Sequence, residues 1–257
     1  MCLILLAWRC HGQFPLVVAA NRDEFFRRPT AAAGFWPDGP EVLGGRDLQA
    51  GGSWMGITRQ GRFAALTNFR APESHRDTAR SRGRLVEDFL RTRQSVPDYL
   101  ASIAPEAHEY NGFNLLVAEG ETLAWYSNVG GAPRYLEPGI YGVSNHLLDT
   151  PWPKVAAAKS ALADALAALP DDGALFRLLR DDKVYPDDAL PRTGVSLDWE
   201  RLLSAAFVRS PGYGTRSSTV LMSAVDGMTV FDEQTWREDG SPGSRVRYRY
   251  STISTGV

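Results

Sequence analysis

The sequence predicts an α+β fold with antiparallel sheets, on three observations. Short apolar runs come in hairpin-like pairs, helical periodicity is confined to separate blocks between them, and no regular strand-helix-strand alternation runs along the chain. Leu3 to Trp8 and Leu16 to Ala20 are apolar runs around a Gly- and Pro-containing loop, which reads as a hairpin. Trp54 to Thr58 and Phe63 to Thr67 flank a second turn, and the stretch Pro37 to Gly52 between the two hairpins reads as a polar loop. Leu85, Val86, Phe89 and Leu90 share one helical face, with Pro97 expected to end that helix and Tyr99 to Ile103 to form another. Strands resume at Phe113 to Ala118, Leu123 to Ser127 and Ile140 to Val143. Asp149 to Pro153 reads as a capping residue and prolines opening a helix whose inner face carries Val155, Leu162, Leu166 and Leu169. A short helix at Leu175 to Leu179, a Pro- and Asp-rich link from Tyr185 to Leu197, and a helix at Trp199 to Phe207 follow. Ser218 to Val225 and Met228 to Phe231 enclose an Asp226-Gly227 turn, and Arg245 to Tyr250 alternates like an edge strand.

Composition narrows the function classes. With 257 residues, 44% hydrophobic and 11% aromatic, the chain can fill a sizeable core, and a single domain spanning 1–257 is expected. A formal charge of -2, with arginines scattered among acids, supplies no field for a polyanion, so nucleic acid is not an expected partner. The apolar start lacks a basic leader and a cleavage site, and no run reaches the length of a membrane span, so stable membrane insertion is not expected. Two cysteines make no disulfide framework, and four unspaced histidines suggest no metal site, which fits a reducing, cytoplasmic setting. No glycine-rich phosphate loop and no Gly-x-Ser-x-Gly elbow is present, so neither a bound cofactor nor a serine hydrolase is expected.

Cys2 is the most informative position. A small second residue allows Met1 to be removed, leaving a free amine on the same residue as the thiol. With an α-amine pKa near about 8 and a thiol near about 8.5, the amine can accept the thiol proton with little mismatch. A buried strand cysteine is the equally weighted alternative. Asn21-Arg22-Asp23-Glu24 follows an apolar run and places charge at a strand end, either beside the thiol or as a solvated loop. Asn68 and Asn145 each stand just past an apolar strand, where a side-chain amide suits an oxyanion or simply a turn. Arg216 stands between a loop and a strand, as a site cation or a surface residue. Phe25, Phe26, Trp36, Trp54 and Phe69 lie near these segments and read as pocket wall or core.

Met1-Cys2, Ala19 to Glu24, Gly45-Arg46-Asp47 with Gly51 to Trp54, Leu66 to Arg70, Asn111 to Leu115, Gly142 to Asn145 with Leu148 to Lys154, and Tyr213 to Ser218 occur here in order. In these segments the chain resembles the NRDE family, also called the transport and Golgi organisation protein family. That family in turn is similar to the N-terminal-nucleophile hydrolases of the penicillin V acylase and bile salt hydrolase branch. The resemblance implies a four-layer αββα sandwich and a catalytic set of Cys2, Asp23, Asn68, Asn145 and Arg216. Arg22 stands two residues from the place of the hydrolases' early arginine. The implied activity is cleavage of an amide or ester in a small hydrophobic substrate. The alternative it implies is a non-catalytic carrier for haem or a lipid or acyl ligand, contacted by Cys2 or a histidine such as His11.

Overall fold

The structure is a computed structural model that describes residues 2–252; Met1 and residues 253–257, the two ends of the expected domain, lie outside it. The first apolar run forms β1 (Cys2–Trp8), and the second runs on through the polar motif to give β2 (Leu16–Phe25). Asn21 to Glu24 therefore lies in a strand rather than a loop, because β2 is flanked on both sides, by β1 and by the late strand β12 (Tyr213–Ser223). The stretch expected as a loop instead holds all of β4 (Gly39–Asp47), which pairs with β3 (Thr30–Trp36) just ahead of it, with Val42 to Gly45 buried. Its glycines hid the strand. A Cβ at Gly44 would lie 2.5 Å from the Met55 carbonyl oxygen, so only glycine lets β4 approach β5 (Met55–Thr58).

Next come β6 (Phe63–Asn68), α1 (Gly83–Arg91) and α2 (Val96–Ile103). Pro97 does not end α1 but sits in the first turn of α2, where its missing N–H costs nothing and Ser95 supplies the cap. Strands β7 (Phe113–Glu119), β8 (Thr122–Ser127), β9 (Arg134–Tyr135) and β10 (Gly139–Val143) lead to α3 (Pro153–Ala165). The capping residue of α3 is Trp152, with no side-chain cap; Asp149 instead adopts φ 58° and accepts from the Gly142 amide and Lys159. After α4 (Gly173–Leu179), α5 covers only Leu197–Leu202. The rest of the expected helix, residues 203–207, leaves its carbonyls open to other partners. Strands β11 (Arg209–Ser210), β12, β13 (Met228–Trp236) and β14 (Pro242–Ser251) follow, the last strands among the described residues, with β14 on the sheet edge.

Among the described residues the strands make two seven-stranded sheets, every pairing antiparallel. One runs β10-β1-β2-β12-β13-β14 with β11 on β12; the other runs β3 to β9 in sequence order. Three apolar clusters define the layers. Ile4, Leu6, Val18 and Leu221 of the first sheet pack against Ile57, Phe63, Leu116 and Trp125 of the second. The other face of the first sheet, through Leu3, Leu5, Val17 and Val220, packs on α3 and α4, and Leu66, Leu115 and Val117 of the second pack on α1 and α2. The period-two alternation of β1 serves both cores, with even positions turned to the opposite sheet and odd ones to the helices. Each large side chain buried in this way contributes roughly 1.5–3 kcal/mol. The fold is thus an αββα sandwich of antiparallel sheets.

One loop sets the site's rim. Gly52 has φ +77°, and a Cβ there would lie 2.3 Å from the Gly83 carbonyl carbon, so this close approach of the 51–53 loop to the start of α1 requires glycine. Gly52→Ala is expected to lower unfolding free energy by about 2 kcal/mol or more, from left-handed strain and backbone overlap together. Urea unfolding measures it; a loss under about 0.5 kcal/mol would refute the close-approach argument.

Candidate active site

The register of β1 and β2 pairs Cys2 with Arg22, and alternation points both side chains inward between the sheets. Both line a cleft of about 380 Å³, together with Trp54 just ahead of β5, Leu66 and Asn68 of β6, and the segment from His75 to Gly83. Arg22 is buried; its guanidinium lies 4.2 Å from the Trp54 ring centroid and donates to Thr30 Oγ1 at 3.2 Å. Burial pushes the Cys2 thiol above its ordinary pKa, and the Asp23 carboxylate adds to the rise. Arg22 and a hydrogen bond from the Asp23 backbone oppose it.

Asn21 and Asp23 point the other way, to the helix side, and both are buried. Asn21 Nδ2 donates to the carbonyls of Leu179 and Ala206 at 2.7 and 2.8 Å, and its Oδ1 accepts from Ser218 at 2.6 Å, so this asparagine ties layers together. Asp23 Oδ1 accepts from Thr215 at 2.7 Å. Burial raises the Asp23 pKa, against the pull of Lys154, Thr215 and Arg70. The Asp23 backbone hydrogen-bonds the Cys2 thiol, which sets Asp23 at the same end of the β1–β2 ladder.

Asn68 and Asn145 meet at the seam between the sheets. Asn145 Nδ2 donates to the Asn68 carbonyl at 2.9 Å, the Arg70 amide donates to the Asn145 carbonyl at 2.8 Å, and Ser144 donates to the Cys2 carbonyl at 3.0 Å. Asn68 lines the cleft; Asn145, fully buried, holds Asn68 from behind. Arg216 is not in this cleft. It is the extra residue where β12 shifts register between Thr215 and Ser217, and its Nη1 donates to the carbonyls of Phe25 and Arg28 at 2.8 and 3.1 Å. It lines a neighbouring cleft of about 260 Å³ that shares Arg22 and Trp54 with the first.

Of the aromatic residues near the motifs, only Trp54 lines the main cleft. Trp36 is buried in the core against α1, Phe25 stacks on Tyr213, and Phe69 stacks on His146. His11 caps its own turn, accepting from the amides of Gln13 and Phe14 at the far end of the β1–β2 hairpin. Among the described residues no cluster of His, Cys, Asp and Glu is arranged to hold a metal, and no helix is long and apolar enough to cross a membrane.

A family profile described as Transport and Golgi organisation 2 matches residues 1–238. The chain belongs to that family. Similar members include the Transport and Golgi organization protein 2 homologs of Bos taurus, 40% identical over 241 residues, and Homo sapiens, 39% identical over 239, each alignment covering 86% of both chains. The Drosophila melanogaster protein of the same name is 28% identical over 250 residues, covering 87% of each chain. Among solved structures, the chain is similar to the C2A mutant of conjugated bile acid hydrolase from Clostridium perfringens. That likeness has 10% identity and a TM-score of 0.47, covering 100% of this chain and 99% of that one. It is also similar to the Caenorhabditis elegans N-acylethanolamine-hydrolyzing acid amidase ortholog, with 13% identity and a TM-score of 0.38, covering 86% and 92%. At such scores the likeness is loose, and the layer order rests on the three cores above.

Sequence reasoning passed over several cleft and near-cleft residues of this family member. Arg28 grips Asp47 at 2.7 Å; despite its burial, Asp47 is held below the usual carboxylate range by that contact and by the amides of Ala50 and Gln49. Arg82, its pKa lowered by burial, lines the cleft and donates to the Gly112 carbonyl. Arg70 and Glu200 form a buried pair at 2.8 Å. Their partners lie far apart in sequence, so no local pattern marks them. Lys154 did leave a signal, since a cation in the first turn of a helix opposes the dipole and calls for another cause.

Arg22→Met removes a cation that favours the Cys2 thiolate, so the thiol pKa rises. Alkylation of Cys2 by iodoacetamide at pH 8, resolved from Cys10 by peptide mapping, is expected to slow about 3- to 10-fold. An unchanged or faster rate would remove Arg22 from the thiol's surroundings.

Proposed function

We propose that this chain, once trimmed of Met1, is an N-terminal-nucleophile hydrolase that cleaves an amide or ester through Cys2. The observation that carries the reading is the end of the β1–β2 ladder, where Cys2 stands beside Arg22 on the cleft wall and the Asp23 backbone hydrogen-bonds the thiol. Trimming turns the peptide nitrogen of Cys2 into a base with a pKa near about 8. The amine takes the thiol proton, and the sulfur attacks the substrate carbonyl to give a tetrahedral oxyanion. The Asn68 side chain, whose backbone is clamped by Asn145, donates to that oxyanion. The amine passes its proton to the leaving group, a thioester remains on Cys2, and water deprotonated by the amine releases the acid. Asp23 accepts from the amine and orients it. Arg22 favours the thiolate. Arg216, in the neighbouring cleft, borders the substrate's far end rather than the reacting carbonyl.

The lining modifies the expected substrate. Arg28, Arg76, Arg80 and Arg82, with Asp47 and Asp77, dominate the cleft, while Leu66 and Trp54 give a limited apolar wall. A small molecule with a polar end fits better than one that is hydrophobic throughout. The carrier reading, with haem or a lipid as ligand, draws less support from this charged lining and from a His11 that lies outside it. A cytoplasmic, reducing setting suits a mechanism that needs a free thiol.

Intact mass of the untagged native protein should match the chain without Met1, and a β-lactone acylating probe should add once, on Cys2. The adduct should vanish in Cys2→Ala and fade at pH 5, where the thiol holds its proton. Retention of Met1 on the native protein, or undiminished labelling in Cys2→Ala, would overturn the proposal.

A further inference from the structure

Lys154 is 4% exposed, in the first turn of α3. A buried ammonium needs hydrogen bonds and an opposing charge. The hydrogen bonds come from segment 203–208, since Nζ donates to the carbonyls of Leu203 at 2.8 Å and Ala205 at 3.4 Å. The same segment reaches Asp23. The Val208 amide donates to Thr215 Oγ1 at 2.9 Å, the Thr215 amide donates to the Val208 carbonyl at 2.8 Å, and the Thr215 hydroxyl donates to Asp23. A continuous path of bonds therefore runs from Lys154 to the carboxylate. Four charged or ionisable groups act on Lys154 from the surrounding elements: Asp23 on β2, Cys2 on β1, Arg70 after β6 and Glu200 on α5. Arg70 and Glu200 pair with each other, which leaves Asp23 as the chief counter-charge. Tyr213 on β12 also lies beside Asp23.

We propose that Lys154 is a positioning residue for Asp23: its ammonium pins the segment that carries Val208 to Thr215 and is the buried cation opposite the Asp23 carboxylate. Two shifts accord with this geometry. Burial brings Lys154 down to about 8 although Asp23 pulls it up, and burial raises Asp23 although Lys154 pulls it down. The inference rests on the hydrolase reading, in which Asp23 holds the Cys2 amine. Its sign follows from that coupling. Without the cation, burial acts on Asp23 with less opposition, the carboxyl takes its proton at higher pH, and the protonated acid no longer holds the amine.

The test is the pH profile of Cys2 alkylation by iodoacetamide in the processed protein carrying Cys10→Ser. Lys154→Gln, which keeps an amide donor for the carbonyls but no charge, should move the acid limb up by about one pH unit, a tenfold slower reaction on that limb. The same substitution should leave the limb in place when Asp23→Asn has already removed the carboxyl, which tells the route through Asp23 from a direct effect of the lysine charge on the thiol. Lys154→Arg should leave the limb in place. An unmoved limb in Lys154→Gln, or the same shift in Lys154→Arg, would overturn the inference and reduce Lys154 to a structural role. Should Lys154→Gln not fold, the wild-type limb is read at 0.05 and 0.5 M salt. A buried cation gives a limb that stays put, and a shift of one unit would hand control to the screened arginines of the open cleft. Failure of the hydrolase reading looks different: a processed wild-type Cys2 inert at every pH.

Discussion

Three consecutive polar residues, Asn21, Arg22 and Asp23, are buried in the interior strand β2, and the whole end of the molecule is arranged to give them partners. An unpartnered polar group in such a place costs about 1–3 kcal/mol, and an unpaired charge more. The partners come from far along the chain: Thr215 and Ser218 from β12, carbonyls from 179 and 206, Trp54 from the loop ahead of β5. Satisfying the motif is thus what assembles the site. The cleft inherits its walls from elements recruited for that purpose.

Strand alternation divides the work of the motif. Arg22 turns inward beside Cys2 and stacks on Trp54, while Asn21 and Asp23 turn outward into a layer of buried hydroxyls, carbonyls and charges beneath α3. One face therefore lines the cleft and the other fixes what stands behind it. The charges on the outer face have exchanged water for each other and for the carbonyls of 203 and 205, so they feel one another more strongly than surface ions would.

Much of this was legible in the chain. The hairpins at each end, the apolar face of α1 and the inner face of α3 follow from period and turn chemistry, and Cys2, Arg22, Asp23 and Asn68 do share a cleft. What was hidden has physical reasons. Strand β4 was masked by glycines that serve close sheet packing, and β2 ran past its apolar stretch because β1 and β12 supply ladders to its polar end. Helix α5 stops at Leu202 because the carbonyls beyond it bond Lys154 and Asn21, partners no local window contains. The split of Arg216 into a second cleft depends on a one-residue irregularity that no periodicity reveals.

That irregularity lets one residue leave the ladder without disturbing its neighbours. Thr215 and Ser218 stand an odd number of positions apart, so in an unbroken strand their hydroxyls would face opposite sides of the sheet; the extra residue between them turns both toward β2's outward pair, Asp23 and Asn21. Exchanging the side chain at 216 leaves that parity intact. Deleting Arg216 would close the ladder into a regular strand in which Thr215 and Ser218 still face Asp23 and Asn21, so the extra residue serves Arg216 itself, which the irregularity frees to reach the carbonyls of Phe25 and Arg28.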